Sequence, residues 1–247
     1  MRLLLISCFC FFLLSATAQE EAPKNWSLGG YVKNLQGLFF FNRSFPDPRT
    51  FRLVDTFLMD HLIHQRLNFR YFGGEHIRFT AELRSRIFYG DLVRLNPDFG
   101  RQVGDANDDF FDLSLTLLDE SAWLIHTMLD RLYVEYISGD WELRLGRQRI
   151  NWGIGSVWNP NDIFNAFSFT DFDYEERPGT DALRVRYYTG FASSLELAVR
   201  VADRLDETTI AGLWKFHRGN YDFQLLSGYD RGHWALGGGW AGSIKKA

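Results

Sequence analysis

The chain has 247 residues, of which 46% are hydrophobic, 17% aromatic and 23% charged, with a formal charge of −4 and 22 Gly against 6 Pro. That length accommodates one domain, or two small ones, and a sizeable core. The composition excludes collagen-like, low-complexity and disordered chains, and the acidic balance argues against nucleic-acid binding, which favours basic surfaces.

At the N-terminus Arg2 is followed by an apolar run from Leu3 to Leu14 and then by Ser15-Ala16-Thr17-Ala18. A basic start, about a dozen apolar residues and an Ala-x-Ala exit are the parts of a secretory signal peptide, here residues 1–18. The run is shorter than the roughly 20 apolar residues a membrane helix needs. Both cysteines, Cys8 and Cys10, lie inside it, so the mature part, residues 19–247, carries none. Export without disulfides points to a bacterial envelope protein.

The mature chain then alternates with period two. In Ile77-Arg78-Phe79-Thr80-Ala81-Glu82-Leu83-Arg84-Ser85-Arg86-Ile87 one face is almost wholly apolar and the other charged or polar. Trp141 to Leu145, Leu183 to Tyr187, Leu195 to Val201 and Tyr221 to Leu225 repeat the scheme. Short, turn-bounded segments rich in Phe, Tyr, Val and Ile favour strands over amphipathic helices. About ten strands are predicted, near 27–42, 59–72, 75–88, 122–137, 140–150, 181–189, 194–202, 209–217, 220–229 and 232–242.

Connection lengths narrow the choice of fold. Gly73-Gly74, Ser138-Gly139-Asp140, Thr189 to Ser193 and Arg218-Gly219 are tight, whereas Arg43 to Leu58, Gly90 to Ser121, Asn151 to Thr180 and Asp203 to Thr208 are longer. Outer-membrane barrels show this asymmetry of short periplasmic turns and long external loops. Lipid tolerates only closed hydrogen bonding, so such strands close with an apolar exterior and a wet, charged interior. A soluble periplasmic sandwich would also alternate. Aromatics separate the two, since Trp26, Tyr71, Tyr136, Trp141, Tyr187, Tyr221 and Tyr229 fall near strand ends, where interface girdles require them. The expected fold is therefore all-β, an antiparallel up-and-down transmembrane β-barrel of about ten strands.

One segment stands above the pattern: Leu145-Gly146-Arg147-Gln148-Arg149-Ile150-Asn151-Trp152-Gly153, then Trp158-Asn159-Pro160-Asn161-Asp162, then Arg177-Pro178-Gly179-Thr180-Asp181. It resembles a segment of porin-like outer-membrane proteins of Gram-negative bacteria, in which a strand ending in Gly-Arg-Gln runs into a loop with Trp-Gly, Asn-Pro and Arg-Pro-Gly. Related patterns occur in alginate-export-like and phosphate-porin-like barrels, particularly in Bacteroidetes. The match covers about 37 residues, 145–181. Elsewhere the likeness is architectural. The resemblance implies a porin-like channel for passive passage of small hydrophilic solutes, with no particular solute specified. The rival reading is a non-conducting structural barrel or one that binds surface polysaccharide.

The residues themselves suggest how such a channel is lined. Arg78, Glu82, Arg84, Arg86, Glu142, Arg144, Arg184, Arg186, Glu196 and Arg200 share the polar parity of their strands and are the candidate lumen wall. Their arginine excess makes anions the candidate solutes, while a ladder of cross-strand Arg–Glu pairs is the plainer reading. Arg147, Gln148, Asn151, Trp152, Trp158, Asn159, Asp162 and Arg177 form a candidate constriction loop. In it Arg147, Arg149 and Arg177 are expected to pair with Asp162, Asp171, Asp173, Glu175 or Glu176. The loop-length asymmetry sets its side of the barrel and leaves its direction, inward or outward, open.

Sharper chemistries do not survive inspection. Asp105 to Asp109 opens like a calcium loop but has Phe110 where Gly is needed and Thr116 where Glu should close it. His61 and His64, three apart on a strand, face opposite sides. No phosphate loop or nucleophile elbow is present. The expectation is a non-enzyme with no catalytic residue, metal or cofactor, whose partners are outer-membrane lipid and lipopolysaccharide, the outer-membrane assembly machinery and hydrophilic solutes. Trp240 to Ala247 lacks a terminal aromatic, and ten strands would make a narrow barrel. The sequence therefore predicts an incomplete barrel, seen as a sheet whose final strand has an unpaired edge.

Overall fold

The computed structural model describes residues 25–44, 46–54, 57–104, 110–154, 161–164, 179–202 and 204–242. The signal-peptide segment 1–18 lies outside them. The alternating segments form one antiparallel sheet of 11 strands: β1 (Trp26–Phe40), β2 (Phe57–Gly73), β3 (Ile77–Gly90), β4 (Ser114–Glu120), β5 (Trp123–Ser138), β6 (Trp141–Gln148), β7 (Thr180–Gly190), β8 (Ser193–Arg200), β9 (Thr209–Arg218), β10 (Tyr221–Asp230) and β11 (His233–Gly242). Their order is β1-β2-β3-β5-β6-β7-β8-β9-β10-β11, an up-and-down meander with β4 set on β5.

The eleventh strand, β4, falls within the Gly90 to Ser121 join that the sequence reads as a loop. Its partner explains it. β6 pairs Ser138 to Leu132 of β5 and stops at Gln148, which leaves the edge of β5 from Trp123 to Met128 open, and β4 pairs there. The same join carries two short helices, α1 (Asp91–Leu95) and α2 (Phe99–Gly104).

Tight turns join β2 to β3, β5 to β6, β7 to β8 and β9 to β10 at one end of the sheet. The longer joins gather at the other, where β4 and β5 are linked tightly through Ser121-Ala122, and β10 and β11 through Arg231 (φ 45°) and Gly232 (φ 84°). Two successive positive φ values match the right-handed twist of a two-residue hairpin. β1 and β11 do not pair with each other, and each has a single neighbour in the sheet. The sheet is not closed.

Its two faces are opposite in character, and the polar one is buried. Arg66, Arg84, Asp130, Glu135, Glu142, Arg184, Glu196, Arg200 and Gln224 are buried on the inner face. Leu28, Val32, Leu67, Val134, Leu145, Leu183, Leu197, Leu225 and Leu236 are exposed on the outer one. Because strand side chains alternate, each register pair keeps this division across the sheet.

Aromatic residues bracket the outer face. Toward the tight turns lie Trp26 opposite Tyr71, Trp141 against Tyr187 (centroids 4.7 Å apart) and Phe216 stacked on Phe223 (5.3 Å). Toward the long joins lie Phe40 with Phe57 (5.1 Å), Tyr89 stacked on Trp123 (4.6 Å) and Tyr229 with Trp234 (5.6 Å). The band between is largely aliphatic.

Candidate functional site

The inner face is organised by one irregularity in β5. Glu82 of β3 stands opposite Arg131 and Leu83 opposite Leu129, so Asp130 is an extra residue. Such a bulge lets two consecutive side chains point the same way, and both Asp130 and Arg131 are buried. Three guanidiniums converge on the Asp130 carboxylate: Arg66 at 2.8 Å, Arg131 at 3.0 Å and Arg84 at 3.5 Å. Arg66 also pairs with Glu82.

A second ladder runs toward the tight turns. Glu135 accepts Arg144 Nε (2.7 Å) and pairs with Arg78 (3.4 Å). Glu142 meets Arg144 (3.1 Å), Arg184 and Arg186 (3.5 Å), and accepts the Tyr188 hydroxyl at 2.7 Å. Glu196 accepts Arg186 Nε at 2.6 Å and lies 4.0 Å from Arg184. Charges desolvated to this degree persist only when paired and hydrogen-bonded. Arg86, 3.4 Å from His126, and the buried Arg200 share the same face. The residues expected along the wall thus lie together on one face, and most of them neutralise one another.

Arg147 and Gln148 end β6, and both are buried. Arg147 pairs with Asp181, its register partner on β7, at 3.0 and 2.9 Å, a carboxylate outside the set expected from sequence, most of which lies outside the described residues. Gln148 Nε2 donates to the carbonyl of Ala182 (3.0 Å).

From Ile150 the chain turns across the inner face. Ile150, Trp152 and Phe164 cluster with Ala182, Ala198, Ala211, Leu213 and Leu226 of β7 to β10. Trp152 is 1% exposed and packs edge-on to Phe164 (4.8 Å). Its indole N–H donates to Glu196, and its carbonyl accepts Gln224 Nε2 at 2.9 Å. Asn161 Nδ2 donates to the carbonyl of Gly238 at 3.2 Å. A Cβ at Gly239 would stand 2.7 Å from Ile154 Cδ1, and one at Gly237 2.4 Å from Asn161 Oδ1, so these glycines make room for the crossing segment. Asn151 is exposed and accepts the amide of Gly153 at 3.1 Å, and Asp162 is buried. Trp158, Asn159 and Arg177, with Asp171, Asp173, Glu175 and Glu176, lie outside the described residues.

Sequence reading missed Asp130, Arg131, Asp181 and the two glycines as parts of this site. The adjacent charges Asp130-Arg131 interrupt an otherwise alternating strand, and Gly237-Gly238-Gly239 is an unusual run for one. Either signal could have marked them.

At the end with the long joins, a cavity of about 410 Å³ is lined by Asp47, Arg52, Val54, Leu58, Asp91 and Arg94 among others. Asp47 Oδ1 accepts the amides of Arg49 (2.7 Å) and Thr50 (3.2 Å), and Oδ2 lies 3.5 Å from Arg94. The Arg49 amide above all, with the Thr50 donors and Arg94, holds this carboxyl below the ordinary aspartate range against the opposing effect of burial. Among the described residues no group of three or more His, Cys, Asp or Glu is placed to hold a metal ion. His61 stacks on Tyr89 (4.4 Å) on the outer face, while His64 is buried on the inner one. No protein-family model matches the chain, and no curated protein matches it in sequence.

Proposed function

We propose that this chain forms the wall of a porin-like channel of the bacterial outer membrane, through which small hydrophilic solutes pass passively. The observation that carries the reading is the reversed polarity of the sheet. The buried face holds the arginine–carboxylate ladders, and the exposed face holds Leu, Val, Ile and rows of Trp, Tyr and Phe. In water this arrangement would expose apolar surface far beyond the few hundred Å² a soluble monomer tolerates. In a bilayer it places aliphatic groups against acyl chains and aromatic rings at both interfaces. The ten residues of β10 and of β11 also suit a tilted crossing, which takes about 9–11. Lipid requires every strand edge to be paired, so the reading requires the open edges of β1 and β11 to be covered by further β-pairing in the membrane.

In this reading the described stretches 150–154 and 161–164 narrow the bore, held by Trp152 and Asn161, while the ion-paired walls keep it polar. Proteoliposomes containing the full chain test it by osmotic swelling in sugars of graded size. Swelling that falls off with solute size supports a channel. Vesicles that stay impermeable to the smallest sugar overturn it. One observation favours a second reading, a non-conducting barrel that binds surface polysaccharide: Trp152, Phe164 and Ile150 fill the inner face over β7 to β10. Sealed vesicles that retain a bacterial glycan would support that alternative.

A further inference from the structure

We infer that Lys215 forms an anion-binding site on the inner face, taking one carboxylate or phosphate group of a solute, and that it sets the charge preference of the bore in place of the arginines. The transport half of this inference rests on the channel reading; the binding half does not.

The arginine excess that suggests anion preference is largely neutralised in the fold. In the ladder nearer the tight turns, four arginines meet three carboxylates, and every one of the four has a carboxylate oxygen within 4.0 Å. Lys215 differs. It stands on β9 between Ser194 of β8 and Gln224 of β10, two buried inner-face residues, and is itself half-buried. Among the described residues on inner-face strand positions, it is the half-buried cation with neither a hydrogen bond nor an ion pair of its own. The charges it feels are Glu196, Arg186 and Arg184. Of these, Glu196 already accepts Arg186 and the Trp152 indole.

Among the described residues, a half-buried ammonium with no ion pair is costly beside a wall whose charges are mostly paired, and an incoming anion would offset that cost. Lys suits the task as a compact point charge with three rotatable donors. The place suits it too. Gln224, directly opposite Lys215, donates to the Trp152 carbonyl, so an anion on Lys215 lies beside the crossing segment, where passing solute is most confined.

The test uses the full chain in detergent and in planar bilayers. Binding of inorganic phosphate and of acetate is measured by NMR line broadening, which separates the two sources of negative charge. Reversal potentials under a KCl gradient give the anion-to-cation permeability ratio. The wild type is expected to bind at least one probe saturably and to favour chloride. Lys215→Gln should weaken binding and lower the ratio about tenfold, within the range over which local fields enrich counter-ions, and Lys215→Arg should restore both. Lys215→Met, of similar length, serves if the Gln variant does not fold. A wild type that binds neither probe, or a Lys215→Gln or Lys215→Met variant that binds as well as wild type, overturns the site. Binding that depends on Lys215 in a protein that passes no current supports the site and overturns only the channel.

Discussion

Arg147 and Asp181 face each other across the β6–β7 ladder in a two-point pair, Nε to Oδ1 at 3.0 Å and Nη2 to Oδ2 at 2.9 Å. The pair closes the two ends of the long join, since β6 stops one residue after Arg147 and β7 begins one residue before Asp181. It also holds a third segment: Arg147 Nη2 donates to the Phe111 carbonyl, and the Phe111 amide donates to Asp181 Oδ2 at 2.9 Å. The parallel geometry is the strong form of the arginine–carboxylate interaction.

Because both side chains are buried, at 2% and 9% exposure, removing one takes from the other its two-point partner in a desolvated place. Arg147→Ala and Asp181→Asn are each expected to destabilise the protein by about 3–5 kcal/mol. The double variant Arg147→Met with Asp181→Leu should recover most of the loss, because an apolar pair leaves no orphan charge. Urea unfolding in detergent, followed through tryptophan fluorescence, checks the cycle. Additive losses would show that the two residues do not act as a pair.

The crossing segment is expected to depend on Trp152. Trp152→Phe removes the indole donor to Glu196 and keeps most of the packing on Ala198, Ala211 and Phe164. Trp152→Ala adds a large cavity, worth about 3–5 kcal/mol locally. Solute entry in swelling assays should rise modestly for Phe and strongly for Ala as the segment leaves the inner face. Equal rates in all three proteins would mean that the segment does not limit passage.

Gly239 should be as sensitive, for a steric reason. Gly239→Val directs its side chain at Ile154, whereas Gly29→Ala meets nothing within 4 Å. Limited proteolysis within residues 149–179 is expected to speed up for the first and stay unchanged for the second. Matching cleavage rates would place Ile154 elsewhere.

Asp47 supplies the pH prediction. Its carboxyl titrates below the ordinary value in the folded chain, mainly through the Arg49 amide. The ionised form therefore stabilises this turn at all pH values above the unfolded pKa of about 3.9. The contribution is lost as pH falls through the lower, folded value. The Arg49 and Thr50 amide resonances should hold steady from neutral pH to about 4 and move only below it. Asp47→Asn should flatten that response. Movement centred above pH 4 would contradict the depressed value.

How far the sequence reveals this depends on the kind of constraint. The stretch Ile77 to Ile87 is legible because period two admits one assignment of faces, and β3 adopts it. β4 is not, because Leu115-Thr116-Leu117-Leu118 breaks alternation and its existence follows from the shortness of β6 rather than from its own residues. That Asp181 pairs with Arg147 depends on register, a non-local quantity, so sequence alone points to acids within the loop instead. The direction of the Trp152 segment rests on small residues of β8 to β11, up to 87 positions away, and no local pattern encodes it.

The decisive prediction concerns Leu225, at the middle of β10 between Tyr221 and Tyr229 and 51% exposed. On a soluble protein an exposed Leu→Arg change of this kind is close to neutral, within about 0.5 kcal/mol. If the outer face meets acyl chains, the same guanidinium lies near the bilayer midplane and costs about 2–4 kcal/mol. Gly242→Arg, at the end of β11 toward the tight turns, serves poorly as a control because its Cβ position is crowded by Tyr221. Ser27→Arg, exposed near the start of β1 at that same end and on the inner face opposite Arg70, is the better one, since it adds the charge without placing it against lipid. Folding yield into lipid vesicles is expected to collapse for Leu225→Arg and to stay near wild type for Ser27→Arg. Equal yields, together with a Leu225→Arg protein that is soluble without detergent, would remove the bilayer from the account and the channel with it.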